Sequence, residues 1–188
     1  AGTGVEGYAP GDRALSFTSH RSHFVMSARD VLLRLPPHAR AADLVCSYLF
    51  HLGYNAVLRA DVRAGSRVLV VGLGVLGLTT VAMASLAGAS VVALSDQPGA
   101  SNIARAFGAS AVHRRGELDA LRAALGAGLA DVVITTTNGW DDWDVALRMA
   151  GRRGTIASLG FPGRGQPPGD YNPLDSRHFY AKQLRIES

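Results

Sequence analysis

The sequence predicts an α/β protein built on a doubly wound parallel sheet of six strands. From residue 67 onward, short β-branched segments alternate with segments of helical periodicity, which is typical of a parallel sheet with helical crossovers. The stretch from Val68 to Leu94 has no charged residue, as expected for strands that are buried on both faces. Its glycines and its β-branched ends favour a strand–helix–strand unit over a membrane span.

The predicted elements follow from the periodicity of each segment. Residues 1–35 alternate short apolar pieces with glycine, serine and proline, which predicts a mostly β segment that ends at Pro36-Pro37. Residues 39–60 predict one or two helices. We then expect strands at 67–72, 90–95, 110–114, 131–136, 154–160 and 183–187, helices at about 75–87, 99–107, 118–125 and 142–150, and a polar loop from 161 to about 173.

Composition excludes several classes of partner. The net charge is +4, and 18 of the 19 basic residues are arginines scattered along the chain, so a nucleic-acid surface is not expected. The single cysteine, Cys46, cannot form an internal disulfide, which favours a reducing compartment, the cytoplasm. We therefore expect a small-molecule ligand and neither nucleic acid nor a membrane.

One glycine motif carries chemistry. Residues 72–77 read Gly-Leu-Gly-Val-Leu-Gly, directly after a predicted strand and at the start of a predicted helix, as the dinucleotide-binding fingerprint requires. Gly72 permits the tight turn, Gly74 allows the backbone to approach a pyrophosphate, and Gly77 allows the helix to pack on the sheet. The helix start at Val75 and Leu76 supplies free N–H groups for the phosphates.

The residues that end the second predicted strand do not decide whether the cofactor is NAD or NADP. The fingerprint expects an acidic residue there to bind the ribose hydroxyls. Asp96 favours NAD, because a carboxylate repels a 2′-phosphate, whereas Ser95 accommodates NADP. The eight residues after Asp96 contain no arginine that could bind a phosphate.

Further candidate residues lie at the ends of other predicted strands. Ligands in open α/β sheets bind at the carboxyl ends of strands, so the nicotinamide half is expected near Thr136, Thr137, Asn138, Leu159 and Gly160.

The aspartates, the cysteine and the histidines form patterns that are less specific than the glycine motif. Asp141, Asp142 and Asp144 stand together at a helix start, where we expect them to cap the helix and offset its dipole, with acid–base chemistry as the alternative. Cys46 is either a metal neighbour or a small buried hydrophobic residue. His20, His23 and His51 lack metal-ligand spacing; they could move protons or contact substrate, with hydrogen-bonded strand-edge histidines as the alternative.

Four stretches resemble the medium-chain dehydrogenase/reductase superfamily, nearest to its zinc-type alcohol and polyol branch. They are GVEGYAPGDRA (4–14), the segment 62–94, FGASAVHR (107–114) and the segment 131–161. The resemblance implies an NAD(P)-dependent oxidoreductase that transfers hydride between nicotinamide and an alcohol/carbonyl pair. It implies a remnant of the catalytic, GroES-like domain in residues 1–45 and an NAD(P)-binding Rossmann domain in residues 46–188.

The same resemblance places Ser95 at the family's acidic position, which favours NADP slightly. It places the catalytic residues and the zinc ligands of the parent protein upstream of Ala1, so we expect this chain to bind cofactor without zinc catalysis. It also implies a homodimer through the last strand. The 161–180 loop could border the cofactor or a subunit interface.

Two alternatives stay open: a zinc-free quinone or enoyl reductase of the same superfamily, and a non-catalytic dinucleotide-binding module. A short-chain dehydrogenase is excluded, because the only lysine is Lys182 and residue 178 is histidine, which does not match Tyr-x-x-x-Lys.

Overall fold

The computed structural model of the chain describes residue 2, residues 4–167 and residues 169–188. The chain divides into two compact units, residues 1–48 and 49–188. No helix in the described part of the chain is both long and apolar enough to cross a membrane.

The first unit contains little regular structure. Strands β1 (Ala14–Leu15) and β2 (Leu33–Arg34) pair in antiparallel fashion, and a 3₁₀ turn (Ala28–Asp30) and helix α1 (Ala41–Leu44) complete the unit. Side-chain contacts hold the turn formed by residues 11–13: Arg34 lies 3.0 Å from the carboxylate of Asp12, and Arg13 donates to the carbonyl oxygen of Ala39 at 2.6 Å.

The second unit alternates strands and helices after α2 (Ser47–Arg59). The strands are β3 (Arg67–Val71), β4 (Ser90–Leu94), β5 (Ala109–His113), β6 (Ala130–Thr135), β7 (Ala150–Ser158) and β8 (Arg185–Glu187). The helices are α3 (Val75–Leu86), α4 (Ala100–Ala106), α5 (Leu118–Leu125), α6 (Trp140–Met149) and α7 (Phe179–Lys182).

All six strands of this unit form one parallel sheet in the order β5-β4-β3-β6-β7-β8, which confirms the predicted doubly wound Rossmann fold. The strand order reverses beside β3, which pairs with β4 on one side and β6 on the other. Ligands of such sheets bind at the carboxyl ends of the strands next to this reversal.

The sheet buries apolar side chains on both faces. Alternate residues of β3 serve different layers: Val68 and Val70 lie in one core cluster, and Leu69 and Val71 lie in the other. All four are fully buried. This two-sided burial explains the uncharged stretch seen in the sequence.

Two of the element boundaries that differ from the sequence prediction have a local cause in the backbone. Strand β7 begins at Ala150, not at residue 154, because Ala150 pairs with Ala130 before a bulge shifts the register to Val132 opposite Thr155. The last strand begins at Arg185, not at residue 183, because Gln183 adopts a left-handed conformation (φ 56°) that ends α7.

Candidate functional site

The three glycines of the motif have different surroundings in the structure. Gly72 has a φ of +92°, and a Cβ there would lie 2.7 Å from Oγ1 of Thr136 and overlap the Thr137 methyl group. A Cβ on Gly77 would overlap the carbonyl oxygen of Gly72. Gly74, in contrast, is exposed and has no protein atom within 4 Å of a Cβ position, so only Gly74 faces open space where a ligand could approach.

Helix α3 begins beside that open space. Its first hydrogen bond runs from the N–H of Leu78 to the carbonyl oxygen of Gly74 at 2.9 Å, so the N–H groups of Val75, Leu76 and Gly77 have no partner within the helix. Val75 is 54% exposed. Free N–H groups and the positive end of the helix dipole make this a place for an anion such as a pyrophosphate.

Thr136 and Thr137 lie beside the glycine turn, directly after β6. The hydroxyl of Thr136 lies 3.1 Å from the Val71 carbonyl oxygen and 3.2 Å from that of Gly72, and its N–H donates to Val71 at 3.0 Å. Thr137 donates its hydroxyl to Oδ2 of Asp142 at 2.6 Å. The Thr136 side chain therefore stabilises the glycine turn, whereas the Thr137 hydroxyl is bound to α6.

The predicted residues at the ends of β6 and β7 converge. The N–H groups of Leu159 and Gly160 both point to the Thr135 carbonyl oxygen, at 2.8 and 3.2 Å. A Cβ on Gly160 would overlap the carbonyl oxygen of Thr137, so glycine permits this close approach. Asn138 accepts the N–H of Phe161 at 2.8 Å.

Ser95 and Asp96 end β4 in different environments. Ser95 is 5% exposed, and its hydroxyl accepts the N–H of Gln97 at 3.2 Å. Asp96 is exposed, and both carboxylate oxygens are bound by Arg115: Oδ1 by its backbone N–H at 3.1 Å and Oδ2 by Nη1 at 2.8 Å. The hydrogen bond from the Arg115 side chain holds the pKa of Asp96 below its usual value.

Sequence reasoning missed Arg115, because it looked for an arginine only just after Asp96. Arg115 follows β5, which lies beside β4 in the sheet. Its Nε and Nη2 also donate to the two oxygens of Asp142, at 2.6 and 2.8 Å. An arginine at the carboxyl end of the adjacent strand was the signal available in the sequence.

The side chains of the acidic cluster do not cap α6 as expected, although Asp141 and Asp142 do lie in its first turn, where a negative charge offsets the helix dipole. The N-cap of α6 is Gly139, and no side chain caps it. Asp142 is 5% exposed and faces Arg115, because a buried carboxylate needs a charged partner. Asp144 pairs with Arg148 along the helix at 2.7 Å.

The remaining candidates do not form a cluster. Cys46 is a half-buried free thiol, and His20, His23 and His51 are exposed. Among the residues that the structure describes, no three His, Cys, Asp or Glu side chains could together hold a metal ion.

The 161–180 loop is attached to the start of α6. Tyr171 donates its hydroxyl to the Trp140 carbonyl oxygen at 2.5 Å, and burial raises the pKa of Tyr171 to about 12. Gly163 (φ +78°) lies against the Trp140 indole, leaving no room for a Cβ. This part of the loop therefore packs beside the end of β6.

Comparison with known proteins confirms the family resemblance. A family model described as zinc-binding dehydrogenase matches residues 75–188. A putative D-xylulose reductase of Rhizobium meliloti is 31% identical over 82% of this chain and 44% of its own length. D-guloside 3-dehydrogenase of Shigella flexneri is 31% identical over 85% of this chain and 47% of its own.

Solved structures share the fold. A thermostable alcohol dehydrogenase from Pyrobaculum aerophilum superposes with a TM-score of 0.66 at 26% identity, over 86% of this chain and 45% of that one. Galactitol-1-phosphate dehydrogenase from Escherichia coli gives a TM-score of 0.73 at 19% identity, over 86% and 47% of the two chains. The chain thus spans about half the length of the relatives that it matches.

Proposed function

Because this chain belongs to the zinc-binding dehydrogenase family, we propose that it is the cofactor-binding part of an NAD(P)-dependent oxidoreductase. The proposed reaction of the whole protein is hydride transfer between nicotinamide and the alcohol/carbonyl pair of a small-molecule substrate. The observation that supports this best is the glycine turn, in which packing demands Gly72 and Gly77 while Gly74 borders open space.

Each part of the proposed cofactor has a matching set of residues. The pyrophosphate would lie on Gly74 and the free N–H groups of α3. The adenosine ribose would lie near Ser95 and Asp96, and the nicotinamide near Thr137 and the β7 end, on the other side of the strand-order reversal. The bound nicotinamide supplies the hydride chemistry, and the chain supplies its position and surroundings.

In this proposal the chain prefers NADP(H) to NAD(H). Ser95 offers a short side chain at the family's acidic position. The neighbouring carboxylate of Asp96 is already bound at both oxygens by Arg115, so it repels a phosphate less than a lone carboxylate would.

Zinc does not fit the described residues, since they contain no suitable group of three ligands. We assign no step of the reaction to zinc within this chain. Metal content distinguishes the first alternative function, because stoichiometric zinc in the active protein would reject a zinc-free quinone or enoyl reductase. Full dehydrogenase activity would reject a non-catalytic dinucleotide module.

We also propose that the protein is a cytoplasmic homodimer. The cytoplasm is proposed from the single cysteine. Strand β8 is the last strand in the sheet order and pairs with β7 alone among the described strands, so its other edge is available for pairing with a second copy. A monomer in sedimentation velocity across the micromolar range would reject the dimer.

The test of the proposed cofactor is a titration of the protein with NADPH and NADH, followed by nicotinamide fluorescence and calorimetry. We expect saturable binding of one cofactor per chain, with NADPH bound more tightly. Absence of binding of both dinucleotides at millimolar concentration would overturn the proposed function.

A further inference from the structure

Arg115 joins three separate strand ends at the candidate adenosine site. It follows β5, contacts Asp96 after β4, and contacts Asp142 in α6, whose other partner is Thr137 after β6. Its two carboxylate partners differ in burial. The Asp142 side chain is 7% exposed and the Asp96 side chain is 51% exposed.

Because of this difference in burial, the ion pair of the guanidinium with Asp142 is permanent, whereas its ion pair with Asp96 can exchange. Asp142 binds Nε and Nη2 in bidentate fashion at 2.6 and 2.8 Å, and a buried carboxylate of this kind cannot lose its cation without a large penalty. The contact from Nη1 to Asp96 is an exposed ion pair, which contributes little and exchanges readily. Arg115 can therefore change its Asp96 contact while Asp142 keeps it in place.

Arg115 retains side-chain donors that bind no acceptor in the described part of the chain. An arginine side chain has five N–H donors, and the side-chain hydrogen bonds of Arg115 use three of them: one on Nε, one on Nη1 and one on Nη2. The side chain is 36% exposed, so part of it is open to solvent and to a ligand. Planar guanidinium groups with free donors are well suited to bind phosphate.

We propose that Arg115 determines cofactor specificity by donating to a 2′-phosphate on the adenosine ribose, with Asp96 as the internal carboxylate that the phosphate displaces. This inference rests on the proposed dinucleotide site. Asp142 keeps the guanidinium beside Asp96, the residue that follows Ser95 at the end of β4. Asp96 occupies Nη1 while the phosphate is absent.

The test uses 2′,5′-ADP and 5′-AMP, which differ only in the 2′-phosphate. We expect the wild-type protein to bind 2′,5′-ADP about 10-fold or more tightly than 5′-AMP in calorimetry, as for a charge-assisted hydrogen bond. Asp96→Asn should widen this ratio by roughly 3-fold or more, because the competing charge is removed while Asp142 still holds Arg115. Arg115→Gln should bring the ratio of the affinities for 2′,5′-ADP and 5′-AMP close to one, while 5′-AMP binding is retained.

Arg114→Gln is the matched control, because it removes a neighbouring exposed charge and leaves the contacts of Arg115 intact. In Arg114→Gln, the ratio of the affinities for 2′,5′-ADP and 5′-AMP should stay within roughly 3-fold of the wild-type ratio. An equal loss in Arg114→Gln and Arg115→Gln would overturn the proposal in favour of a general positive field. If Arg115→Gln does not fold, an unchanged or narrower ratio in Asp96→Asn overturns it.

Different results would overturn the specificity role of Arg115 and the proposed function. Equal binding of 2′,5′-ADP and 5′-AMP by the wild-type protein would overturn the role of Arg115 and leave the dinucleotide site standing. If neither nucleotide binds, nor NADPH nor NADH, the proposed function itself is wrong and the specificity role is wrong with it.

Discussion

At the scale of single residues, the three glycines of the motif differ in whether neighbouring protein atoms leave room for a side chain. Gly72 and Gly77 are fixed by the protein itself, because a methyl group at either position would overlap neighbouring atoms. Gly74 has φ −68° and ψ −173°, which other residues adopt readily. In the proposed dinucleotide site, glycine at this position would leave room for the pyrophosphate.

This contrast predicts opposite effects of two alanine substitutions. Gly77→Ala should lower the free energy of unfolding by about 1–3 kcal/mol, through overlap with backbone. Gly74→Ala should leave it within about 0.5 kcal/mol of wild type and weaken NADPH binding by roughly 10-fold. Urea unfolding and fluorescence titration measure the two effects. An equal loss of stability in both variants would contradict the assignment.

Tyr171 predicts a stability change at alkaline pH. Burial raises its pKa to about 12 in the folded chain, from an ordinary value of 10.0. The folded state therefore retains its proton longer than the unfolded state does, so this contribution is complete below pH 10 and is lost as the pH rises through about 12. Urea unfolding of wild type and Tyr171→Phe at a series of pH values tests this. The difference between them should shrink across that interval, and a constant difference would contradict it.

At the scale of elements, the end of α6 is stabilised by the only lysine of the chain. Nζ of Lys182, in α7, donates to the carbonyl oxygens of Leu147 at 2.7 Å, Arg148 at 3.0 Å and Ala150 at 2.8 Å. The first two belong to the last turn of the helix, whose carbonyl groups have no partner within the helix. Burial lowers the pKa of Lys182. The lysine thus fixes the junction of α6 with β7.

Lys182→Met should therefore lower the free energy of unfolding by about 1–3 kcal/mol, since buried carbonyl groups lose a charged donor. The control is Arg152→Met at an exposed position in β7, which should change it by less than about 0.5 kcal/mol. Urea denaturation at neutral pH compares the two. Similar values for both variants would show that the contact contributes no stability.

At the scale of the whole molecule, the division at residues 48 and 49 lies close to the boundary predicted between residues 45 and 46. The parallel sheet, both core clusters and the glycine turn all lie within the second unit. A unit with its own core is expected to fold alone.

Residues 46–188, produced alone, should therefore unfold cooperatively and bind NADPH within roughly 3-fold of the complete 188-residue chain. Thermal unfolding by circular dichroism and fluorescence titration test this. A non-cooperative transition, or loss of binding, would show that the predicted domain boundary is wrong.

The sequence alone determined the fold class, a doubly wound parallel sheet of six strands, and the position of the glycine turn. These depend on local signals: β-branched runs buried on both faces, helical periodicity, and glycines at fixed spacing after a strand. The helix α7 and the early start of β7 were missed, because a left-handed Gln183 and a bulge opposite Ala130 have no distinctive local pattern.

Only the tertiary structure decided the partners of the charged side chains. Arg115 lies 19 residues from Asp96 and 27 from Asp142 in the chain, and all three meet because β4, β5 and α6 bring their ends to one edge of the sheet. The burial of Asp142 then selects an ion pair over a helix cap, since a desolvated carboxylate requires a cation. Such contacts depend on the packing of separate elements, so spacing along the sequence does not reveal them.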